Sequence, residues 1–377
     1  MAADCAAVFA VLVWLYLLCM RGMFWRMREG RLDGAGTLTS LRVAVIIPAR
    51  NEAESIGRAI ESLAGQSLSG PFHIFLVDDH SDDGTAAIAG STAGPDRLTI
   101  IQARPVAEGW TGKLWALAEG LAQAKSFQPD YVLFSDADIV HAPDSTSQLV
   151  ARAEAGGYDL VSCMVKLECE TLAEKSLIPA FVFFFFMLYP PAWTADPRNE
   201  TAGAAGGCIL MRWTALTRVG GMAAIRGELI DDCALAKAVK KTGGKLWLGL
   251  TSKTRSIRSY GTFGEIGRLI SRTAFWQLKH SVLMLLGTIA GMFVTYMLPP
   301  MLLLTGRAVP AALGSFAWIL MMVTYAPALR FYGLPWMRAP LLPLVALFYT
   351  GATIHSAVEY WAGRGGEWKG RVQDGKP

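Results

Sequence analysis

Hydrophobic positions follow two regimes along the chain. At both ends they run on almost unbroken; in the middle they come as short bursts separated by stretches of helical spacing. Cys5 to Met20 reads CAAVFAVLVWLYLLCM, and with GMFW beyond Arg21 it approaches the ~20 residues that cross a bilayer. Asp4 precedes the run, whereas Arg21, Arg26, Arg28 and Arg31 follow it. That asymmetry predicts an uncleaved anchor over 1–25 with its C-terminal side in the cytoplasm. A Gly-rich linker, RLDGAGTLTS, comes next.

The bursts of the middle region predict strands at RVAVIIP, HIFLVDD, RLTIIQ and YVLFSDAD. Between them NEAESIGRAIESLAGQ, SDDGTAAIAGS and GKLWALAEGLAQAK have helical patterns, with Asn51 capping the first at capping-box spacing from Glu54 and Ser81 or Asp82 capping the second. Alternating strands and helices predict an α/β domain over 41–262 with a mostly parallel, Rossmann-like sheet. Ligands of such a sheet bind beyond the carboxyl ends of its strands.

One apolar stretch interrupts this domain. IPAFVFFFFMLYPPAW, residues 178–193, is too short to span a membrane by itself. It is expected to be a membrane-facing flap in the cytoplasmic leaflet, the competing reading being a buried core helix. GEIGRLISRTAFWQLKH then predicts an interfacial amphipathic helix over 263–280. In 281–363 three runs, Ser281–Thr305, Ala308–Leu329 and Ala339–Gly363, are long enough to cross, and a basic tail, 364–377, follows. Three crossings would leave that tail outside; two crossings with a re-entrant or interfacial piece keep it inside, the preferred arrangement.

A net charge of +4, with no basic run interleaved with aromatics, argues against nucleic acid as a partner. It suits an anionic membrane face or a phosphorylated substrate. None of the six cysteines forms a CxxC or a zinc spacing with histidine, so all six are read as free thiols.

The candidate chemistry lies at strand ends. Asp136 and Asp138, one residue apart after an apolar strand, can hold Mg²⁺ or Mn²⁺ together with a ligand hydroxyl. Asp78 and Asp79 end the second strand. Asp231 and Asp232 open a helix, where they either compensate its dipole or supply a general base. Lys113 stands at a helix start without a GxxxxGK[ST] loop around it; it is either a surface lysine or a phosphate contact. His80 and His141 flank the acids, but no Ser or Cys nucleophile motif accompanies them.

VIIPARNEAESIGRAIESL, LVDDHSDDGT, GKLWAL, SDAD, AAGGCIL and IDDCALA occur in the order of the family 2 glycosyltransferases with a GT-A fold, and the resemblance covers roughly Arg42–Arg272. GWTGKLWAL, SDADIVHAPD, LIPAFVFFFFMLYP, AAIRGELIDDCALAKAVK, LRFYGLP and WKGR extend it to the hopene-associated glycosyltransferases of hopanoid-making bacteria. The resemblance implies an inverting, metal-dependent transfer from a nucleotide sugar, in the first instance a UDP-sugar, to a lipid hydroxyl. The acceptor it implies is hopanoid-related, and the setting a multi-pass protein of the bacterial inner membrane with a cytoplasmic catalytic domain. It assigns Pro48, Ala49, Arg50 and Glu52 to the first nucleotide loop, and Asp79, supported by Asp78, to the base. It assigns Asp136 to the ribose and sugar, Asp138 to the metal, Asp232 to the catalytic base with Asp231 beside it, and Gly206, Gly207 and Cys208 to the acceptor side. The family's QxxRW motif is absent; Arg268 and Arg272 stand in its place as diphosphate contacts. Polyprenyl phosphate and glycerolipid are alternative acceptors, and a non-catalytic membrane scaffold that binds sugar nucleotide or lipid is the rival of a different class.

Overall fold

The structure, a computed structural model, describes residues 1–27, 29, 41–368 and 371–374. Arg28, the 31–40 linker and residues 369–370 and 375–377 of the basic tail lie outside the described residues.

The elements begin with α1 (Ala2–Cys19), β1 (Val43–Ala49), α2 (Ala53–Ala64), β2 (Phe72–Asp78), α3 (Thr85–Thr92), β3 (Leu98–Gln102), α4 (Gly112–Ala124) and β4 (Tyr131–Ser135). They continue with β5 (Ile139–His141), α5 (Ser145–Gly156), β6 (Leu160–Lys166), α6 (Leu172–Leu188), α7 (Pro191–Ala195), β7 (Cys208–Arg212), α8 (Trp213–Val219), α9 (Asp231–Lys241) and β8 (Leu246–Ser256). The last part holds α10 (Phe263–Gln277), α11 (Val282–Met292), α12 (Leu298–Leu302), α13 (Ala308–Phe331), α14 (Leu342–Trp361) and a hairpin of β9 (Gly365–Trp368) and β10 (Arg371–Asp374).

Eight strands form one sheet in the order β3-β2-β1-β4-β7-β6-β8-β5. β3, β2, β1 and β4 are parallel, as the alternation of strand and helix predicts; β7 is antiparallel to both its neighbours, and β5 is antiparallel to β8. Every residue of β1 is buried because both faces of the sheet are covered. Val43, Val45 and Ile47 pack with Ile56, Ile60 and Leu63 of α2, while Ala44 and Ile46 pack with Leu114, Leu117 and Leu121 of α4. The latter approach needs Gly120, where a Cβ would stand 2.6 Å from the Ile46 side chain. Ala49 pairs with Asp78 and Ile46 with Phe134, so β1, β2 and β4 end together and their loops open on one edge.

The helix starts differ from the expected caps. Asn51 takes positive φ, and its side chain accepts the Asp82 N–H at 3.1 Å instead of serving as the N-cap of α2. The 81–85 loop satisfies the start of α2 instead: Glu52 N–H donates to Thr85 Oγ1 and Ala53 N–H to Asp83 Oδ2. In the second helix Asp83, not Ser81 or Asp82, receives the Thr85 N–H. Local spacing could not show this, because the partners come from a neighbouring loop about 30 residues on.

The phenylalanine stretch, expected as a membrane-facing flap, belongs to a helix that packs three of its four phenylalanines inside the protein. Phe183, Phe184 and Phe186 of α6 are at most 8% exposed. The rings of Phe183 and Phe184 meet Phe24, Tyr296, Tyr325 and Tyr349 from four other segments at 4.8–5.6 Å. The helix begins six residues before Ile178, at a capping box of Thr171 and Glu174. Pro179 removes one helical hydrogen bond, and Arg338 Nη1 donates to the carbonyl this leaves, that of Lys175.

Both ends of α6 are tied to the α/β domain. At its start the buried Glu174 carboxylate accepts from Glu170 N, Thr171 N, Ser259 Oγ and Tyr260 N, the last pair on the loop that follows β8. At its end Tyr189 accepts from Gln277 Nε2 at 2.7 Å and lies against Cys233 of α9. Replacing Glu174 by alanine strands several buried N–H donors, and the expected loss is about 2–4 kcal/mol. It is checked as a lower melting temperature of the detergent-solubilised protein.

Segments Ala2–Cys19, Leu172–Ala195, Val282–Thr305, Ala308–Phe331 and Trp336–Trp361 are long and apolar enough to cross a membrane, by length and composition. Contacts separate them into two groups. Asp4 at the start of α1 pairs with Arg307 between α12 and α13, while Arg21 past the end of α1 donates to Met187 O at the end of α6. α14, by contrast, runs alongside α10: Phe348 faces Phe263, Ser356 Oγ accepts from Phe275 N, and Tyr360 stacks on His280 at 4.0 Å. α14 exposes Leu344, Leu347, Ile354 and Val358, whereas α10 exposes Arg268 and Arg272.

Candidate active site

The strand ends and the start of α9 converge on a cleft lined by Pro48, Lys113, Ser135, Asp136, Gly206, Asp231 and Asp232 among others. Lys113 is its centre. Thr111 caps α4 through Leu114 N–H and so points the first turn of that helix into the cleft. The Lys113 ammonium stands 3.0 Å from Asp136 Oδ1 and 3.3 Å from Asp231 Oδ2. Burial alone would lower its pKa, but Asp136, Asp231 and Asp232 raise it overall, so the lysine stays charged. Of the two readings open for it, surface lysine or site residue, the geometry selects the second.

Asp231 and Asp232 sit in the first turn of α9, so dipole compensation and a place in the cleft hold together. Asp232 Oδ2 accepts the Gly206 N–H at 2.8 Å and Oδ1 accepts the Cys233 N–H at 2.7 Å. Burial, with the like charge of Asp231, pushes its pKa up to about 6 against the opposing pull of Lys113. A carboxylate poised there is ionised at neutral pH and basic enough to take a proton. Asp136 is also raised, by burial first, and Lys113 opposes this.

A second cluster lies beside the first. Asp138 Oδ2 accepts from Ser256 Oγ at 2.7 Å and from Arg258 Nε at 3.2 Å. Arg258 Nη2 also donates to both oxygens of Glu52, at 2.6 and 2.7 Å. One arginine past β8 thus ties the first loop to the Asp136–Asp138 loop. The motif reading missed Arg258; the signal available was a basic residue directly after a strand, in TRSIRSY, which local pattern alone does not single out. Arg268 and Arg272, expected near a diphosphate, stand exposed on α10.

The other expected residues divide. Arg50 Nη1 donates to Asp79 O at 2.6 Å and lies 3.7 Å from its carboxylate, which joins the first and second loops. Asp78 Oδ1 accepts Ser81 N–H and shapes the turn after β2. On the acceptor side Gly206 touches Asp232, but Gly207 packs on Ile139 and Val165, and Cys208 is fully buried in β7. Expecting Cys208 there is corrected by the sheet: its side chain faces the core below the sheet, among residues such as Cys163 and Val165. His141 is buried, accepts or shares a hydrogen bond with Ser135 Oγ at 2.9 Å, and has its pKa pushed down to about 4 by burial; it is a neutral packing residue. All six cysteines are free.

Acidic groups outnumber basic ones here: Glu52, Asp136, Asp138, Asp231 and Asp232 face Lys113 and Arg258. Among the described residues no three His, Cys, Asp or Glu side chains gather closely enough to cage a metal ion. A hard cation would therefore take one or two carboxylate oxygens from the protein and the rest from a ligand and water, the habit of Mg²⁺ at phosphate sites.

The sequence profile of the glycosyl transferase family 2 matches residues 44–220, which hold β1 to the end of α8. That match spans just under half of the chain, and over it the protein is similar to a family 2 glycosyltransferase domain. The sheet and its flanking helices are the GT-A fold, with apolar helices before and after it. Among similar proteins, an undecaprenyl-phosphate 4-deoxy-4-formamido-L-arabinose transferase of Yersinia enterocolitica is 31% identical over 137 residues, covering 36% of this chain and 40% of that protein. Its Salmonella choleraesuis counterpart is 30% identical over 140 residues, again 36% and 40%. The chain thus matches well under half the length of these relatives. The solved structure of a mannosyltransferase from Pyrobaculum calidifontis, in complex with GDP-Man and Mn²⁺, superimposes with a TM-score of 0.60 over 94% of this chain and 99% of that one, at 17% identity. At that identity the likeness speaks for the fold.

Proposed function

We propose that the protein is a membrane-bound glycosyltransferase that moves a sugar from a nucleotide sugar to the hydroxyl of a membrane lipid, with inversion at the anomeric carbon. The observation that carries this reading is the single cleft in which Asp232, Lys113 and Asp136 meet, over a bed of apolar helices. Arg50, Glu52, Asp78, Asp79 and Asp136 bind the nucleotide and its sugar. The lipid oxygen attacks the anomeric carbon and forms the new C–O bond as the bond to the diphosphate breaks. The nucleoside diphosphate leaves with that electron pair, and the hydroxyl proton passes to Asp232. Lys113 stabilises negative charge on the leaving group, and Arg258 is assigned the diphosphate contact in place of Arg268 and Arg272. Asp138 with Asp136 holds Mg²⁺ or Mn²⁺, which supplies Lewis-acid neutralisation of the diphosphate when bound.

In this reading α1, α11–α12 and α13 cross the bacterial inner membrane. The salt bridge of Asp4 with Arg307 marks the outer side, and the α/β domain lies on the cytoplasmic side. α6, α10 and α14 lie along the cytoplasmic face, since both ends of each return to it. The C-terminal tail then stays outside the bilayer core on the same side, although three other segments cross.

A hopanoid-type lipid is the acceptor proposed on the resemblance of the membrane segments, and a UDP-sugar the first donor to test. Polyprenyl phosphate is a second reading, favoured by the names of the partial relatives. The test is label transfer from UDP-glucose, GDP-mannose and further nucleotide sugars into lipid extracts, with Mg²⁺, Mn²⁺ or EDTA. The expected result is a neutral labelled lipid that EDTA suppresses. A product that carries phosphate selects the second reading, and donor binding without transfer to any lipid overturns the proposal in favour of a scaffold.

A further inference from the structure

Beside Cys233, the residue that follows Asp232, the two apolar helices α6 and α10 end together. Tyr189 terminates α6 and Gln277 terminates α10, and the Gln277 amide donates to the Tyr189 hydroxyl at 2.7 Å. The same hydroxyl lies near the Cys233 thiol, which donates to Ala204 O at 3.5 Å, and Cys233 follows Asp232 directly. Gly203 packs directly on Tyr189: a Cβ there would stand 2.5–2.9 Å from Tyr189 Cβ, Cγ and Cδ1. A polar pair therefore stands where an apolar approach meets the base.

We infer that this pair is the acceptor subsite. The lipid enters between the C-terminal ends of α6 and α10, and Tyr189 and Gln277 exchange their mutual hydrogen bond for contacts to an uncharged hydroxyl-bearing headgroup held beside Asp232. The inference rests on the transfer reaction proposed above and names its acceptor class. Charge is the reason for that class. The subsite groups, Tyr189, Gln277 and Cys233, carry no positive charge. Lys113 lies between Asp136 and Asp231 and serves the leaving group, Lys240 donates to the carbonyls of Trp193, Thr194 and Thr201, Arg21 donates to Met187 O and lies over the Trp193 ring, and Arg268 and Arg272 stand exposed further back along α10. A phosphate headgroup, with about −1.5 to −2 charges at neutral pH, would add negative charge beside Asp231 and Asp232, which with Asp136 already outnumber the Lys113 ammonium. A neutral alcohol faces no such repulsion, and it is the acceptor that needs a base.

The test uses the full chain in phosphatidylcholine nanodiscs. A long-chain alcohol bearing a diazirine is photolysed with the protein, and labelled peptides are mapped with dodecanol or dodecyl phosphate as competitor. The result expected is labelling of the peptides that hold Tyr189 and Gln277, displaced by dodecanol and not by dodecyl phosphate. Label elsewhere, or displacement by the phosphate alone, overturns the inference. In turnover with dodecanol, Tyr189→Phe and Gln277→Leu are expected to raise KM for the alcohol about tenfold each, the worth of one hydrogen bond, with kcat falling less than KM rises. The rise in melting temperature given by UDP or GDP reports that each variant is folded. An unchanged KM in both variants overturns the subsite. Displaceable labelling of these peptides without sugar transfer to any acceptor supports the subsite and overturns the reaction, so the two failures are distinguishable.

Discussion

Replacing Asp232 by asparagine is expected to lower the rate of sugar transfer about 10³-fold, within the range for loss of a general base. The fold should survive. Asp232 accepts one backbone N–H on each oxygen, from Gly206 and Cys233, and asparagine retains one acceptor of the same size at the same place. Donor affinity is expected to change little, because the proposed role of Asp232 is to take the acceptor's proton. The pH profile gives an independent readout. With the carboxyl raised to about 6 by burial and by Asp231, the base is ionised above that pH and protonated below it. Wild-type kcat should therefore fall as pH drops through about 6, and the residual rate of Asp232→Asn should show no such limb. Equal kcat in the two proteins would show that another group takes the proton.

Lys113→Met is expected to have the second largest effect. The ammonium is the only charge within ion-pair distance of both Asp136 and Asp231 among the described residues, and without it three carboxylates share one cleft. Breaking a fully buried pair costs about 3–5 kcal/mol. The Lys113 side chain retains 22% of its exposure and that of Asp136 36%, so water screens part of this loss and the stability change falls below that range. Function should suffer more. Nucleotide-sugar affinity is expected to drop about 10- to 100-fold as a charge-assisted contact to phosphate is lost. The sign of the pH effect is fixed: Lys113 lowers the pKa of Asp232, so its removal moves the acid limb of kcat to higher pH. Lys113→Arg should hold the limb near its wild-type position. Titration calorimetry with nucleotide sugar and a pH–rate profile check the two statements, and a pH profile that fails to move would place Lys113 outside the electrostatics of the base.

Much of the catalytic half was legible because it is local. A buried parallel strand declares itself by a run such as VAVIIPA, and the loop after such a strand is where ligands bind. Asp78, Asp136 and the Asp231–Asp232 pair could thus be picked out before their neighbours were known. Helix caps were less legible, since the start of α2 is capped by a loop from beyond β2. The surroundings of the phenylalanine stretch were not legible either: apolar residues all round a helix say that it is surrounded, not by what, and other apolar helices supply part of the surroundings here.

By itself the sequence determined the α/β alternation, the acidic strand ends, the long apolar segments and the order of the motifs. Each depends on neighbours within a few residues, where backbone periodicity and burial act directly. Only the tertiary structure decided the pairings across long separations. It brought Arg258 to Glu52 and Asp138, and set Lys113 between Asp136 and Asp231. It pinned both ends of α6 to the catalytic domain and closed Tyr189 on Gln277 beside the base. Such contacts arise from the packing of whole elements, and a charge or hydroxyl in sequence carries no mark of the partner, about a hundred residues away, that folding gives it.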